Sequence, residues 1–324
     1  MAATTSLTMS TTTLTSHQPS TNHQSASLTP NSIRPYLAKL NLPQADSHKG
    51  QNGKLLIIGG SKLFHAASKW SLDVASRFVD MVFYSSIPSN NQLIQEAKKN
   101  FWNGIVIPRQ EIKNYLHEAD AVLIGPGMER QEQTTNRDWS QPPTSAEWQN
   151  DTEKIINYLL SKYPDKKWVI DAGALQMVDP QLLNKNCLLT PHEKELVRLI
   201  NHLPDRQKVD FTIKNLTNSS KQLKQLQAKL LPLLNQPTLL LKGPIDYVVN
   251  QHTIVPIKGG NAGMTKGGTG DVLAGLAAAL YCTNDALTSA VVGSYLNKKA
   301  GDHLYQQVGP FFNASDLVDV VGAG

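Results

Sequence analysis

A glycine-rich stretch at residues 259–271 carries the residue types in this chain that best suit phosphoryl transfer. Six glycines fall within residues 259–270, and the stretch ends at Asp271, directly before the apolar residues 272–280. A glycine turn that opens a helix gathers unpaired backbone N–H groups at the positive end of the helix dipole, where phosphate binds well. A carboxylate makes a poor phosphate ligand, but it can act as general base for a hydroxyl that attacks phosphorus.

Two common phosphate-binding motifs do not describe this stretch. Lys266 precedes Gly267, whereas a P-loop carries its lysine after four variable residues and a glycine. The dinucleotide fingerprint needs a preceding strand and a ribose-binding acid at a set distance, and neither is present. A helix with a flexible entry and an acidic first turn remains the alternative interpretation.

Length and composition restrict the class of protein. The chain has 324 residues and a formal charge of +5, which allows a substantial core. It has no basic stripe with interleaved aromatics and no apolar run near the ~20 residues of a membrane span, so neither nucleic acid nor membrane is expected as a partner. Cys187 and Cys282 lie in apolar contexts, and we expect buried thiols and a reducing, cytoplasmic location.

The first thirty residues differ from the rest. Residues 1–30 are rich in Ser and Thr, and such a segment buries too little apolar surface to order itself. It has no apolar region of a secretory signal, and the first arginine is Arg34, which does not suit a transit peptide. We predict a disordered tail, a helix over residues 32–40 and one domain over residues 31–324.

The rest of the chain alternates short apolar runs with helical patterns, which predicts an α/β fold: a mostly parallel sheet with helices on both faces. The predicted strands cover residues 55–58, 105–107, 121–124, 168–170, 187–189 and 239–241. The predicted helices cover residues 66–83, 151–162 and 219–231, the last ended by Pro232.

Small, polar or charged residues follow at least five of these strands, and ligands of such sheets bind beyond the carboxyl ends of the strands. The five segments are Gly59-Gly60-Ser61, Gly125-Pro126-Gly127, Asp171-Ala172-Gly173, Thr190-Pro191-His192-Glu193 and Lys242-Gly243. We expect them to converge on one cleft. The polar connection over residues 129–151 is expected to be a mobile surface loop, with a lid as the alternative.

These motifs resemble those of the ADP- or ATP-dependent NAD(P)H-hydrate dehydratases, in the expected order and over about residues 33–320. That family belongs to the ribokinase-like superfamily, so the resemblance implies a three-layer sandwich. The motifs that carry it include Gly59-Gly60-Ser61, Gly125-Pro126-Gly127, Ile170-Asp171-Ala172, Thr190-Pro191-His192, Leu241-Lys242-Gly243, Asn261-Ala262-Gly263-Met264 and Gly267-Gly268-Thr269-Gly270-Asp271.

The resemblance implies a repair reaction: a nucleotide phosphorylates the hydroxyl of hydrated NADH or NADPH, and elimination of phosphate restores the cofactor. Asp271 would be the general base, and the amides of Gly268, Thr269 and Gly270 would hold the phosphoryl group. The residues implied for the adenine nucleotide are Lys242, Gly243, Pro244, Ile245, Asp246 and Gly270. Those implied for the hydrate are Ala66, Gly125, Gly127, His192 and Asp271.

The resemblance also implies a homo-oligomer, and Mg²⁺ that binds with the nucleotide. No metal cluster is readable in the sequence. The segment before Lys49 is too short for the epimerase that is fused to this dehydratase in many bacteria, so we expect a stand-alone dehydratase. Lys194 stands where members usually have glycine, His65 precedes Ala66 where Gly-Ala is usual, and residues 79–81 replace a glycine-rich helix end. The departures at Lys194 and His65 leave a nucleotide-binding protein without turnover as one alternative. A small-molecule kinase of the same superfamily, which would share Asp271 and the glycine turn, is the other.

Overall fold

In the described part of the chain, nine strands form a single sheet in the order β3-β2-β1-β4-β5-β6-β7-β8-β9. The computed structural model describes residues 30–132, 138–203 and 220–322. The strands are β1 (Lys54–Ile58), β2 (Met81–Ser85), β3 (Ile105–Val106), β4 (Ala121–Ile124), β5 (Lys167–Ile170), β6 (Cys187–Leu189), β7 (Thr238–Leu241), β8 (Asp246–Val249) and β9 (Ile254–Ile257). Neighbours from β3 through β7 pair in parallel, whereas β8 and β9 continue the sheet antiparallel.

Helices cover both faces of the sheet. They are needed on both because successive side chains of the apolar central strands point to opposite faces. Leu56 and Ile58 of β1 belong to one buried cluster, and Leu55 and Ile57 belong to the other. The first cluster also contains residues of α4 (Ile112–Leu116), α5 (Glu147–Asn150), α6 (Thr152–Lys162), α7 (Ala172–Met177), α8 (Glu193–Asn201), α9 (Ser220–Gln225) and α10 (Leu231–Leu233). The second contains residues of α1 (Pro30–Lys39), α2 (His65–Ala75), α3 (Pro88–Ala97), α11 (Thr269–Thr283) and α12 (Ala286–Val308). A last helix, α13 (Ala314–Val320), packs on α12 and α2.

The predicted architecture is confirmed, and six predicted strands lie within one residue of observed ones. The helix predicted over residues 32–40 is α1, and that over residues 151–162 is α6. Cys187 and Cys282 are buried free thiols, as predicted. Apart from Pro30, the predicted tail lies outside the described residues. Within the described segments, no helix combines the length and apolar character needed to cross a bilayer.

The helix predicted over residues 66–83 is wrong in its second half. Helix α2 ends at Ala75, and Met81–Ser85 is the buried strand β2. The chain turns between them because Asp80 is anchored elsewhere: its Oδ2 accepts hydrogen bonds from the backbone of Gly50 at 2.6 Å and of Asn52 at 3.1 Å.

Two further predictions need correction. Pro232 does not end the predicted helix over residues 219–231: α9 passes through a π-turn at Leu226–Leu230 into α10, which contains Pro232. The connection over residues 129–151 is more than a surface loop. It contains α5, and its Trp139 and Trp148 are buried.

Candidate active site

The predicted anion-binding turn is the start of α11. Gly268 precedes the helix in the left-handed region, at φ 99°, and a Cβ there would lie 2.5 Å from the Trp70 ring. Thr269 fixes the turn through its hydroxyl, which donates to the Met264 carbonyl at 2.7 Å. Because the N-cap is a glycine, no side chain caps the first-turn amides. Of the three amides predicted to hold phosphate, that of Thr269 makes a long bond to the Lys266 carbonyl at 3.4 Å.

Asp271 lies in the first turn of α11, partly buried. The Ser71 hydroxyl on α2 donates to the Asp271 carbonyl at 2.8 Å, which ties this turn to the neighbouring helix. Burial, helped by the negative charge of Asp171 and opposed by Lys242, raises the pKa of the Asp271 carboxyl to about 7. A carboxyl with that pKa exchanges its proton near neutral pH, which suits a general base.

Lys242 stands between two carboxylates at the end of β7. Its Nζ lies 2.9 Å from Asp171 Oδ1 and 3.8 Å from Glu195 Oε2. The Thr190 hydroxyl donates to the same Asp171 oxygen at 2.6 Å. Burial alone would lower the pKa of Lys242, but the two carboxylates outweigh it and raise this pKa. A Cβ on Gly270 would lie 3.7 Å from Lys242 Nζ, so the ammonium group adjoins the first turn of α11.

His192 serves as the N-cap of α8 and also faces the cleft. Its Nδ1 accepts a hydrogen bond from the Glu195 backbone at 3.2 Å, and its own backbone N–H donates to Glu195 Oε2 at 3.0 Å. Burial is the main cause that lowers the pKa of His192. Its side chain is half exposed and lines the same cavity as Lys242.

That cavity has a volume of about 680 Å³, and the residues predicted for the nucleotide border it, with the exception of Ile245. The predicted residues along its wall are Lys242, Gly243, Pro244, Asp246 and Gly270. The Asp246 carboxylate is engaged within the protein: it accepts from the Gly243 backbone at 2.9 Å and from Ser294 at 2.8 Å, and it lies 3.4 Å from Lys298 Nζ. Asp246 therefore shapes the loop that forms the wall.

One amide along the same cavity lacks a partner. Asn297 on α12 is 3% exposed, and its Oδ1 has no hydrogen-bond partner among the described residues. A buried, unpaired amide oxygen costs free energy unless a ligand satisfies it.

Three of the residues predicted for the hydrate follow β1 and β4: Gly125 and Gly127 lie in the turn after β4, and Ala66 lies in the helix after β1. Gly125 and Gly127 have φ values of 123° and 72°. A Cβ on Gly125 would lie 1.8 Å from the Asp171 carbonyl oxygen, and one on Gly127 would lie 2.2 Å from that of Phe64. Ala66 follows in the first turn of α2. Both glycines therefore allow close backbone contact, and contact of these three residues with a substrate stays a prediction.

The sequence did not single out Asp171 and Glu195 as partners of Lys242, nor Asn297. Asp171 belongs to the motif Ile170-Asp171-Ala172 at the end of a strand, for which no role was predicted, and Glu195 belongs to none of the motifs. Their one available signal is the position of polar residues at the carboxyl ends of buried strands. Among the described residues, no three or more His, Cys, Asp and Glu side chains form a group that could hold a metal ion.

Comparison with known families gives the same family as the motifs in the sequence. A sequence model of the NAD(P)H-hydrate dehydratase family matches residues 55–322. The chain is 31% identical to an ADP-dependent (S)-NAD(P)H-hydrate dehydratase of Nitrosopumilus maritimus, over 85% of this chain and 89% of that protein. It is also 31% identical to a bifunctional NAD(P)H-hydrate repair enzyme of Methanocaldococcus jannaschii, over 88% of this chain. The chain spans about half the length of that bifunctional relative, 50%.

Solved structures confirm the ribokinase-like fold. The ADP/ATP-dependent NAD(P)H-hydrate dehydratase from Bacillus subtilis, co-crystallised with ATP and Mg²⁺, superposes with a TM-score of 0.64 at 19% identity, over 89% of this chain and 94% of that one. A ribokinase-like superfamily protein from Enterococcus faecalis gives a TM-score of 0.65 at 22% identity, over 89% of this chain and 92% of that one.

Proposed function

Because the chain belongs to the NAD(P)H-hydrate dehydratase family, we propose that it uses ADP or ATP to convert hydrated NADH or NADPH back to the reduced cofactor. The observation that carries this proposal is the placement of Asp271, with its raised pKa, on an uncapped glycine turn beside the Lys242 ammonium group. A general base, amide donors and a cation then lie close together at the start of α11, which is what phosphoryl transfer requires, and Lys242, Thr269 and Gly270 border the cavity.

The reaction would proceed in two stages. The hydrate hydroxyl loses its proton to Asp271 as its oxygen attacks the terminal phosphorus of the nucleotide. The bond from that phosphorus to its bridging oxygen breaks, and AMP leaves from ADP or ADP leaves from ATP. The amides of Gly268 and Gly270, and that of Thr269 once its long bond is released, would stabilise the transferring group. The C–O bond then breaks, a neighbouring ring carbon gives up a proton, and inorganic phosphate leaves as the reduced ring is restored.

Lys242 would position the terminal phosphate. Its contacts with Asp171 and Glu195 hold the ammonium group at the turn, so it need not be ordered when the nucleotide binds. Its positive charge also lowers the pKa of Asp271, against the effects of burial and Asp171. Lys242 therefore serves binding and keeps the base from becoming too strongly protonated.

The nucleotide base would lie in the same cavity next to Asn297, which is one of the residues along its wall. Geometry favours Asn as the partner of adenine, since one amide can accept from the exocyclic amino group and donate to a ring nitrogen. Guanine offers an oxygen at that edge and would leave the amide oxygen unpaired. The unpaired Oδ1 of Asn297 supports adenine as the base, because this oxygen can accept a hydrogen bond from the exocyclic amino group of adenine.

Mg²⁺ would enter with the nucleotide and neutralise charge on its phosphate oxygens. Magnesium sites commonly use one or two carboxylates together with substrate phosphates. Asp171 and Glu195 suit that role, since both lie near Lys242 and the first turn of α11. Asp171 makes its contacts with Thr190 and Lys242 through Oδ1 alone, which leaves Oδ2 for the metal. We also propose a cytoplasmic location and a homo-oligomer.

The decisive experiment is product analysis with hydrated NADH or NADPH and either nucleotide. A dehydratase releases one inorganic phosphate for each reduced cofactor that it restores, which phosphorus NMR and absorbance measure together. A phosphorylated product that persists would indicate a kinase of the same superfamily. Bound nucleotide without any new phosphorus species would indicate a binding protein.

A further inference from the structure

A second cavity, of about 370 Å³, lies beyond the ends of β1 and β2 and away from Lys242. Its wall includes Gly60 and Ser61 after β1, the start of α3, the end of α5 and the first residue of α6. The charged side chains along it are Lys62, Arg109 and Glu129. Two cations therefore face one carboxylate.

Arg109 is a buried cation whose hydrogen-bond partners in the described part of the chain are neutral carbonyl groups. It is 4% exposed. Its Nη2 donates to the carbonyls of Gly59 at 2.8 Å and Gly60 at 2.9 Å, and its Nη1 donates to those of Trp148 and Gln149 at 3.2 and 3.0 Å. Its Nε has no hydrogen-bond partner among the described residues.

The charge of Arg109 lacks a counter-ion within the described part of the chain. Burial lowers the pKa of its guanidinium to about 10, and the one group that opposes this is the Tyr84 phenol. A buried charge without a partner of opposite sign is costly, and an anion in the adjoining cavity would offset that cost.

The start of α3 adds a second anion-binding feature to the same cavity. This helix has ten residues, its N-cap is Ile87, and no side chain caps it. Pro88 has no N–H to satisfy, so the unpaired first-turn amides begin with those of Ser89 and Asn90. These amides and the helix dipole favour a negative charge at the wall formed by Pro88 and Ser89.

The cavity adjoins the turn predicted to bind the hydrate. A Cβ on Gly127 would lie 3.2 Å from Gly60 Cα, and Met128, the next residue, lines the cavity. A dinucleotide whose nicotinamide ring reached Asp271 past Gly127 would extend toward Arg109.

We propose that this second cavity binds a phosphate group of the dinucleotide, remote from the reacting ring. The positive charges of Arg109 and Lys62 and the backbone amides at the start of α3 would attract this phosphate. The inference rests on the proposed function, since it names a subsite of that substrate. The phosphate is either the diphosphate that NADH and NADPH share or the additional phosphate of NADPH.

Equilibrium binding of NADPH and of NADH, followed by their fluorescence, tests this subsite without turnover. Lys62 is exposed, so Lys62→Glu should fold normally. We expect it to raise the Kd of NADPH about tenfold at low salt and less at high salt, because it replaces attraction by repulsion at a screened site. Arg109→Gln, checked for folding by thermal unfolding, should weaken binding in the same direction. Lys99→Glu, an exposed site near the opposite end of α3, is the matched control and should leave both Kd values unchanged.

Comparison of the Kd changes for NADH and NADPH shows which phosphate the cavity binds. An equal rise for NADH and NADPH assigns the diphosphate, whereas a rise for NADPH alone assigns its additional phosphate. Inorganic phosphate should compete with the cofactor in the wild type and do so less in Lys62→Glu. If the wild type binds both cofactors and Lys62→Glu binds them equally well, the subsite is wrong and the proposed function stands. If the wild type binds neither, the proposed function fails and this inference fails with it.

Discussion

Replacing Asp271 with asparagine should stabilise the protein while it abolishes turnover. Burial raises the pKa of this carboxyl from 3.8 to about 7, so the folded protein resists its ionisation. Asparagine keeps nearly the same shape and carries no charge, which removes that cost. The buried general base therefore lowers the stability of the folded protein, as functional groups in strained or desolvated sites commonly do.

The magnitude follows from the two pKa values. A shift of about three units corresponds to about 4 kcal/mol, and because water reaches part of the carboxyl we expect roughly half, ~2 kcal/mol. Between pH 4 and pH 7 the unfolded state has released the proton and the folded state still holds it, so wild-type stability falls as pH rises. The advantage of Asp271→Asn should therefore grow across this range, stay constant above about pH 8, and vanish below about pH 3.5.

Thermal and denaturant unfolding of both proteins at several pH values measure this difference. At pH 8 the variant should melt about 4 °C higher, given ~2 °C per kcal/mol for a large domain. Nucleotide affinity serves as the control for an intact cleft and should be retained. A variant that is equally stable or less stable at pH 8, with its cleft intact, would refute the reasoning that Asp271 is held against its own ionisation.

Three further predictions follow from the same geometry. Gly268→Ala should strongly lower stability and activity, because its methyl group would contact Trp70 and the residue has a positive φ. Gly267→Ala should lower neither, since no atom lies within 4 Å of the added carbon, and unfolding curves compare the two variants. Asp171→Asn should lower the apparent pKa of kcat/KM, since the charge of Asp171 raises the pKa of Asp271, and a pH–rate profile would show an unchanged pKa if this coupling is absent. Asn297→Leu should raise KM for ADP or ATP with little change in kcat and reduce the preference over GDP or GTP; an unchanged preference would rule Asn297 out as the base-reading residue.

The sequence predicted the central strands because they are continuous apolar runs, which in a parallel sheet are buried on both faces. It failed at β2 because no glycine or proline separates it from α2, and the turn between them depends on the contacts of Asp80 with Gly50 and Asn52. It missed the antiparallel strands β8 and β9. Pro256 obscures the pattern of β9, although at the edge of a sheet a proline is tolerated.

The candidate site likewise has features that the sequence predicted and features that depend on the fold. The glycine turn and Asp271 are local in sequence, so spacing alone predicted them. The pairing of Lys242 with Asp171 joins residues 71 positions apart, and only the order of β5, β6 and β7 in the sheet brings them together. The pKa of Asp271 depends on that pairing and on burial, neither of which can be read from one motif.

The most direct test of the central claim is recovery of reduced-nicotinamide absorbance from hydrated NADH or NADPH with ADP or ATP, in wild type and in Asp271→Asn. We predict recovery in the wild type, rising with pH through an apparent pKa near 7, and none in the variant although it still binds nucleotide. Absorbance that fails to return while nucleotide is bound, or that returns equally well in Asp271→Asn, would contradict the claim that this carboxylate activates the hydroxyl for attack on phosphorus.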